Sequence, residues 1–309
     1  MRAAMLFGPQ DLRVEDVPEP RGEVLVRVEA ATTCGTDVKM WRHGHPVLGP
    51  YPCPFGHETA GRRLDTGQRV LVSDSVACGA CAPCRAGRPQ ICRAPTWVLG
   101  GFAEQIAAPV AALHPIPPGL APAGAAMAEP LAAALHAIAR GSSAGEVGVL
   151  GGGPMGLMLA SLLVGEGRTV TLADPHAERR AQADAIGARG VPALGRHELV
   201  FEAVGRPETW RSAVEATAPG AVVVLVGGCP PGTDASLPAA PLHYDELELR
   251  GAFHHAPDEV DRALDALEAG SFDWRLLAGG TIGLEELPRA LAVPADGPAR
   301  KWIVDPSSG

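Results

Sequence analysis

The sequence predicts an α/β chain in two parts, a turn-rich, barrel-like β domain and a doubly wound parallel-sheet domain. Three observations predict it. Short β-branched runs separated by Gly and Pro clusters fill the first 115 residues. From Gly145 onward, apolar strands alternate with helical segments. Between them, Gly151-Gly152-Gly153-Pro154-Met155-Gly156 ends an apolar run and opens a helix. The length of 309 residues fits roughly two domains of about 150 residues each. A chain of that size buries about 75% of its extended surface, so its core needs no disulfides.

Each element has a local reason. Val24–Ala30 and Arg69–Val72 alternate loosely and are rich in β-branched residues, so both read as strands. Ala123–Met127 reads as a helical turn. Leu131–Arg140 reads as a helix, with Leu131, Leu135 and Ile138 on one face and Gly141 as its stop. Val147–Leu150 is continuously apolar, as a strand buried on both faces should be. A helix follows over 155–164, then a strand at Thr169–Ala173 and a helix from Pro175 to about Ile186. Leu199–Ala203, Ala221–Val226 and Leu247–Phe253 supply further strands, with a helix over Glu208–Thr217 after the first of them. The tail adds a helix at Asp258–Ala269 and a closing strand at Lys301–Val304. Only Pro192–Glu198 separates the weak strand near Arg189–Val191 from the next one. A helical crossover needs a dozen or more residues, whereas seven extended residues span about 23 Å. One crossover helix is therefore expected to be missing and the third strand to be weak or absent.

Charge excludes some functions. Lys and Arg number 26 against 35 Asp and Glu, a net −9, which leaves no excess of cations for a nucleic-acid backbone. The N-terminus has no apolar core or cleavage site of a secretory signal. The apolar stretch Val147–Gly165 is interrupted by glycines and Pro154, so it reads as strand, turn and helix rather than a membrane span. A cytoplasmic protein without nucleic-acid or membrane partners is expected.

Of seven cysteines, four fall in Cys78-x2-Cys81-x2-Cys84-x7-Cys92. Without an export signal, clustered cysteines read as metal ligands rather than disulfides. Four thiolates close a tetrahedral zinc site with no position left for substrate. A ferredoxin-type cluster wants three residues before the fourth Cys and a Pro after it. Here the gap is seven and Arg93 follows. Cys53 and Cys229 read as structural.

A second set combines Cys34-Gly35-Thr36-Asp37 with Gly56-His57-Glu58. Taken singly, a Cys is most often a small core residue and a His a hydrogen-bonded structural one. Together they offer thiolate, imidazole and carboxylate. Glu129, just before Pro130, is the candidate third ligand; its alternative role is a carboxylate favoured at a helix start. Three protein ligands with an open position is the layout of catalytic zinc.

The third set is the glycine series. Gly151 permits a tight turn, Gly153 lets backbone approach a pyrophosphate, and Gly156 lets helix pack on strand. Asp174 follows Gly156 by 18 residues, at the end of the second strand. A carboxylate there accepts from ribose hydroxyls and repels a 2′-phosphate, which predicts NAD over NADP. Asp174 could also cap the next helix ahead of Pro175. Arg179 and Arg180 keep NADP open.

With these sets in this order, the sequence resembles the zinc-dependent medium-chain dehydrogenase/reductase superfamily over nearly its whole length. The matching pieces are Cys34–Asp37, Gly56–Glu58, the four-Cys lobe, Gly101-Phe102-Ala103-Glu104, Glu129-Pro130-Leu131 and the glycine loop. In that family, Glu rather than Cys at the position of Glu129 marks the sorbitol and threonine dehydrogenase branch. The resemblance implies a GroES-like catalytic domain over 1–130 and 255–309 and a Rossmann domain over 131–254. It implies two zinc ions per chain. One would be held by Cys34, His57 and Glu129, with Glu58 a nearby or exchanging ligand, and the other by Cys78, Cys81, Cys84 and Cys92. Gly151, Gly153, Pro154, Met155, Gly156, Asp174, Arg179, Val204, Gly205, Val226 and Gly227 would bind NAD. Thr36 would pass on the substrate proton, and the chain would form a homodimer or homotetramer.

Two departures bear on substrate and proton relay. Lys39 stands where many relatives carry a relay His, which leaves His43 or His45, or the cofactor ribose and solvent, for that role. Phe253-His254-His255 stands where polyol enzymes often carry Arg-Tyr after the Phe. The reading is hydride transfer between a secondary alcohol (polyol, cyclitol, sugar-like or amino alcohol) and NAD. The competing readings are an NADP-dependent carbonyl reductase of the same fold and a non-catalytic zinc and dinucleotide binder.

Overall fold

The computed structural model describes residues 1–230, 232–292 and 297–308. The chain forms two compact units. The first comprises Met1–Pro130, Ala256–Pro294 and Lys301–Gly309; the second comprises Leu131–His255 and a return ending at Arg300. The tail thus goes back to the first unit from Ala256, one residue later than 255. The short return to the second unit, which includes 297–300, was not anticipated.

In the first unit the central strand, Val24–Thr32, pairs antiparallel with Glu58–Arg63, Gln105–Ala108 and Lys301–Val304. Arg69–Val72 and Leu113–Pro115 extend this sheet on one side, and Ala278–Ile282 on the other. A separate three-stranded sheet has Arg2–Gly8 at its centre. Alternation puts Val24, Val26 and Val28 inward. They pack with Leu6, Val70, Ile106 and Leu284 in one apolar core. Phe55 and Phe102 meet edge to face there, 5.5 Å between centroids.

Register in this sheet places the site. Thr32 lies opposite Glu58 on one side and Ile303 on the other. The chain then leaves the sheet at Thr33 and enters the helix Gly35–His43, with Cys34 as its N-cap. Gly56 turns the opposite strand into His57 at a φ of +90°. A Cβ there would stand 2.7 Å from the Phe102 ring. Only glycine takes this turn without strain.

The second unit is a six-stranded parallel sheet. Its strands are β1 (Glu146–Leu150), β2 (Thr169–Ala173), β3 (Arg189–Val191), β4 (His197–Glu202), β5 (Thr217–Leu225) and β6 (Glu248–Gly251). They lie side by side in the order β3-β2-β1-β4-β5-β6, the doubly wound arrangement with its switch point at β1. Val147, Val149, Leu172, Phe201 and Val223 are fully buried in it. The third strand is present and weak, three edge residues at Arg189–Val191 parallel to β2. The crossover from β3 to β4 carries no helix, as the short span from Val191 to His197 requires. Helices α1 (Pro154–Gly165), α2 (Ala177–Ala185) and α3 (Pro207–Glu215) follow β1, β2 and β4. Among the described residues, no helix is long and apolar enough to cross a membrane.

Candidate active site and metal centres

Cys34 and His57 come together because a helix start and a strand start face each other in the first unit. Cys34 Sγ is 3.3 Å from His57 Nε2. Ligands about 2.0–2.3 Å from one tetrahedral zinc stand roughly 3.5 Å apart, so this separation suits a shared ion. Asp37 organises both residues. Its Oδ2 accepts from Cys34 N at 2.8 Å, and its Oδ1 lies 3.1 Å from His57 Nδ1. Asp37 is fully buried. A carboxylate behind the imidazole fixes ring orientation and leaves Nε2 for the metal.

Glu129 stands in the first turn of the helix Ala128–Ala139. The helix begins three residues before Leu131, so Glu129 has the helix-start position that was its alternative role. Glu129, Glu58 and His57 each offer a ligand atom within 4.8 Å of the others, and Cys34, Asp37 and His57 form a second such set. His57 belongs to both sets. Thr36 is exposed on the first turn beside Cys34. Lys39, His43 and His45 are also exposed.

Glu58 has a partner of its own. Lys301 Nζ, from the closing strand, lies 2.7 Å from its carboxylate, and Thr32 Oγ1 donates to Glu58 Oε2. Both ions are 1% exposed. Burial pushes the Glu58 carboxyl up to about 7, against the pull of the Lys301 ammonium. Burial works against the Lys301 charge, but Glu58 outweighs it and raises the ammonium. Burial, then Asp37, pushes the Cys34 thiol up. Burial opposes the His57 imidazolium, but Cys34 and Asp37 raise it well above the usual range. A half-buried thiol, a buried imidazole and buried carboxylates make a donor set suited to a divalent cation, which must displace their protons to bind.

The four-Cys lobe is built from one short helix, Ala82–Arg85, and a single turn at Pro89–Ile91. All four sulfurs lie within 4.8 Å of one another. Cys81 Sγ is 3.3 Å from Cys84 and 3.9 Å from Cys92. Thiolates sharing one tetrahedral zinc stand roughly 3.8 Å apart. Backbone amides point at the sulfurs, from Cys78 and Ala94 onto Cys92 at 3.3 and 3.4 Å. Amides of Arg93 and Cys84 pull Cys81 down to about 6, whereas burial and the neighbouring thiols push Cys84 up to about 12. Cys53 and Cys229 lie outside these sets.

In the second unit, Gly151 takes a φ of +104° between β1 and α1, and a Cβ there would stand 2.6 Å from Val204. A Cβ at Gly156 would overlap Gly151 O. Both are glycine for the fold's own sake. At Gly153 a Cβ would meet nothing within 4 Å. No internal contact requires glycine there, so the open space at the helix start fits a ligand approaching the backbone. Asp174 is buried. Its Oδ2 accepts from Gly152 N at 2.8 Å and lies 3.4 Å from Arg179 Nη1, while Oδ1 accepts from His176 N. It does not cap α2, whose N-cap is His176. Val204-Gly205 and Val226-Gly227 form the turns after β4 and β5, since β5 ends at Leu225 rather than Val226.

Comparison with known proteins gives the family. Residues 20–118 match the family described as alcohol dehydrogenase GroES-like domain, and 154–269 match the zinc-binding dehydrogenase family. The chain is 30% identical to the L-threonine 3-dehydrogenase of Streptomyces avermitilis, over 94% of each chain. The chain belongs to the zinc-dependent medium-chain alcohol dehydrogenases, on the sorbitol and threonine dehydrogenase branch. The sorbitol dehydrogenase of Bacillus subtilis is 27% identical, over 94% of this chain and 92% of its own. A solved zinc-binding dehydrogenase from Sinorhizobium meliloti 1021, bound to NADP, superposes with a TM-score of 0.91 at 29% identity, over 99% of both chains. This dehydrogenase is therefore a zinc-dependent oxidoreductase of alcohols that uses a nicotinamide dinucleotide.

Sequence reasoning missed two residues of this dehydrogenase's site. Asp37 had a signal: it lies three residues after Cys34, at the spacing of a reciprocal helix cap. Lys301 had none, because it is 243 residues from Glu58 and only sheet pairing brings it in.

Proposed function

We propose that this dehydrogenase oxidises a secondary alcohol of the polyol, cyclitol, sugar-like or amino-alcohol type with NAD, carrying two zinc ions per chain. The observation that carries the reading is the array of buried Asp37 and His57 with half-buried Cys34, beside Glu58 and Glu129. Cys34, His57 and Glu129 would hold the catalytic ion. Cys78, Cys81, Cys84 and Cys92 would hold the structural one, a site with no open position.

When bound, zinc polarises the substrate oxygen as a Lewis acid, and the nicotinamide takes up the hydride. The rest falls to the chain. Asp37 holds His57 by Nδ1, so that Nε2 stays directed at the ion's place. Lys301 and Thr32 hold the Glu58 carboxylate back from that place, leaving room for substrate. The exposed Thr36 hydroxyl accepts the alcohol proton at Oγ1 and gives up its own toward solvent. Gly153 leaves room for the pyrophosphate over the first turn of α1.

Asp174 favours NAD, because a buried carboxylate repels a 2′-phosphate. Arg179 beside it, 3.4 Å away, is the observation that favours NADP, as is the NADP-bound relative. The deciding experiment measures kcat/KM with both cofactors across polyols, inositols, amino alcohols, 3-hydroxy-2-amino acids and simple secondary alcohols, with zinc quantified in parallel. Two zinc ions and at least about a tenfold preference for NAD, some 1.4 kcal/mol, are expected. Equal kcat/KM for NAD and NADP removes the NAD assignment. A single zinc and no chelator-sensitive activity point to a binder instead.

A further inference from the structure

We infer that Glu202 is a positioning residue for the dinucleotide: it sets two turns at the carboxyl edge of the parallel sheet without touching the cofactor. The inference rests on the reading that this edge takes the dinucleotide.

Glu202 ends the apolar run of β4 and is fully buried, an unusual place for a carboxylate. Burying one is expensive unless hydrogen bonds compensate. Oε1 accepts from Val204 N and from Gly205 N, both at 2.9 Å. The carbonyl of the same residue accepts from Val226 N and Gly227 N, again both at 2.9 Å. One residue thus holds four amides of two turns, after β4 and after β5. These strands are neighbours, and their carboxyl ends are where a doubly wound sheet binds ligands.

The two turns lock onto each other. Gly205 takes a φ of +79°, and a Cβ there would stand 2.6 Å from Gly228 O. A Cβ at Gly227 would overlap Gly205 N. Trp210 Nε1, from α3, donates to Gly227 O at 3.0 Å. Val204 in turn packs on Gly151, in the glycine loop. A shift of the Glu202 acceptor therefore displaces Val204 and Gly205, and through them the loop that meets the pyrophosphate. Glu202 is fully buried, so its influence on the cofactor is indirect, and these amides carry it.

The test measures NADH affinity by fluorescence titration on the full-length, zinc-loaded protein, with the thermal midpoint recorded beside it. Glu202→Gln keeps a carbonyl acceptor at the same distance and should bind NADH within about twofold of wild type. Glu202→Asp withdraws the acceptor by one methylene and should bind several-fold more weakly. Glu202→Ala leaves both turn amides without their acceptor and should bind about tenfold more weakly or worse. KM for NAD should rise in parallel while KM for the alcohol stays put. Val223→Ala, in the buried core of β5, lowers the midpoint without touching either turn and should leave NADH affinity unchanged. If Glu202→Ala does not fold, the Gln and Asp pair decides alone. NADH binding at wild-type strength in Glu202→Ala, or in Glu202→Asp, overturns the inference. So does Glu202→Gln weakened as much as Glu202→Asp or Glu202→Ala. Gly153→Val separates the two layers. If it abolishes NADH binding and Glu202→Ala does not weaken it, only this inference falls. If neither change affects NADH binding, the dinucleotide reading of this edge falls as well.

Discussion

Asp37 Oδ1 lies 3.1 Å from His57 Nδ1, and the other oxygen of the same carboxylate accepts from the Cys34 amide. One buried side chain therefore sets both the thiol and the imidazole. Carboxylates in this position typically account for 10- to 100-fold in metal affinity. Asp37→Ala should lose catalytic zinc by about that factor, read by competition against a chelator, while the four-Cys zinc stays bound. Wild-type affinity at both sites would show that Asp37 does not orient His57.

The Lys301–Glu58 pair is buried on both sides. Removing one partner leaves an uncompensated charge, which typically costs about 3–5 kcal/mol. Lys301→Met should lose stability on that scale in urea unfolding. The double change Lys301→Met with Glu58→Gln should recover most of the loss. Additive losses would mean that the two groups do not interact.

Glu58 also makes zinc-free stability depend on pH. Its folded value, about 7, lies above the ordinary 4.5. Between these values the folded chain binds a proton that the unfolded chain does not. Its contribution is therefore present below pH 4.5 and is lost as pH rises toward 7. The thermal midpoint of zinc-free wild type should fall relative to Glu58→Gln across that window. Parallel profiles would contradict the assignment.

Cys92 receives two backbone amides and closes the lobe. Cys92→Ser should reduce bound zinc from two ions to one and leave the ion at Cys34 and His57 in place. Retention of both ions by this variant would remove Cys92 from the ligand set.

Asp174 bonds Gly152 N and stands beside Arg179. Asp174→Ala should weaken NAD and release Arg179 toward a 2′-phosphate, moving the NAD-to-NADP ratio of kcat/KM by at least about tenfold. An unchanged ratio would place cofactor choice elsewhere.

Much of this molecule was readable along the chain. The glycine loop, the four-Cys lobe and the parallel strands are written in local spacing. Each depends on residues close in sequence, so periodicity and turn chemistry expose it. The missing crossover helix was legible for the same reason, as a count of residues between two strands. The third strand was legible in place, near Arg189–Val191, but whether it forms was not, because three residues at a sheet edge carry almost no periodic signal.

By itself, then, the sequence determined the ligand types, their local spacing and the order of the two folds. Only tertiary structure decided that Asp37 backs His57, that Lys301 neutralises Glu58, and that Glu202 ties two turns together. Strand pairing places Lys301 beside Glu58 across 243 residues, and packing alone buries the three carboxylates. Burial and partnership depend on what lies across the sheet, which no local pattern of residues records.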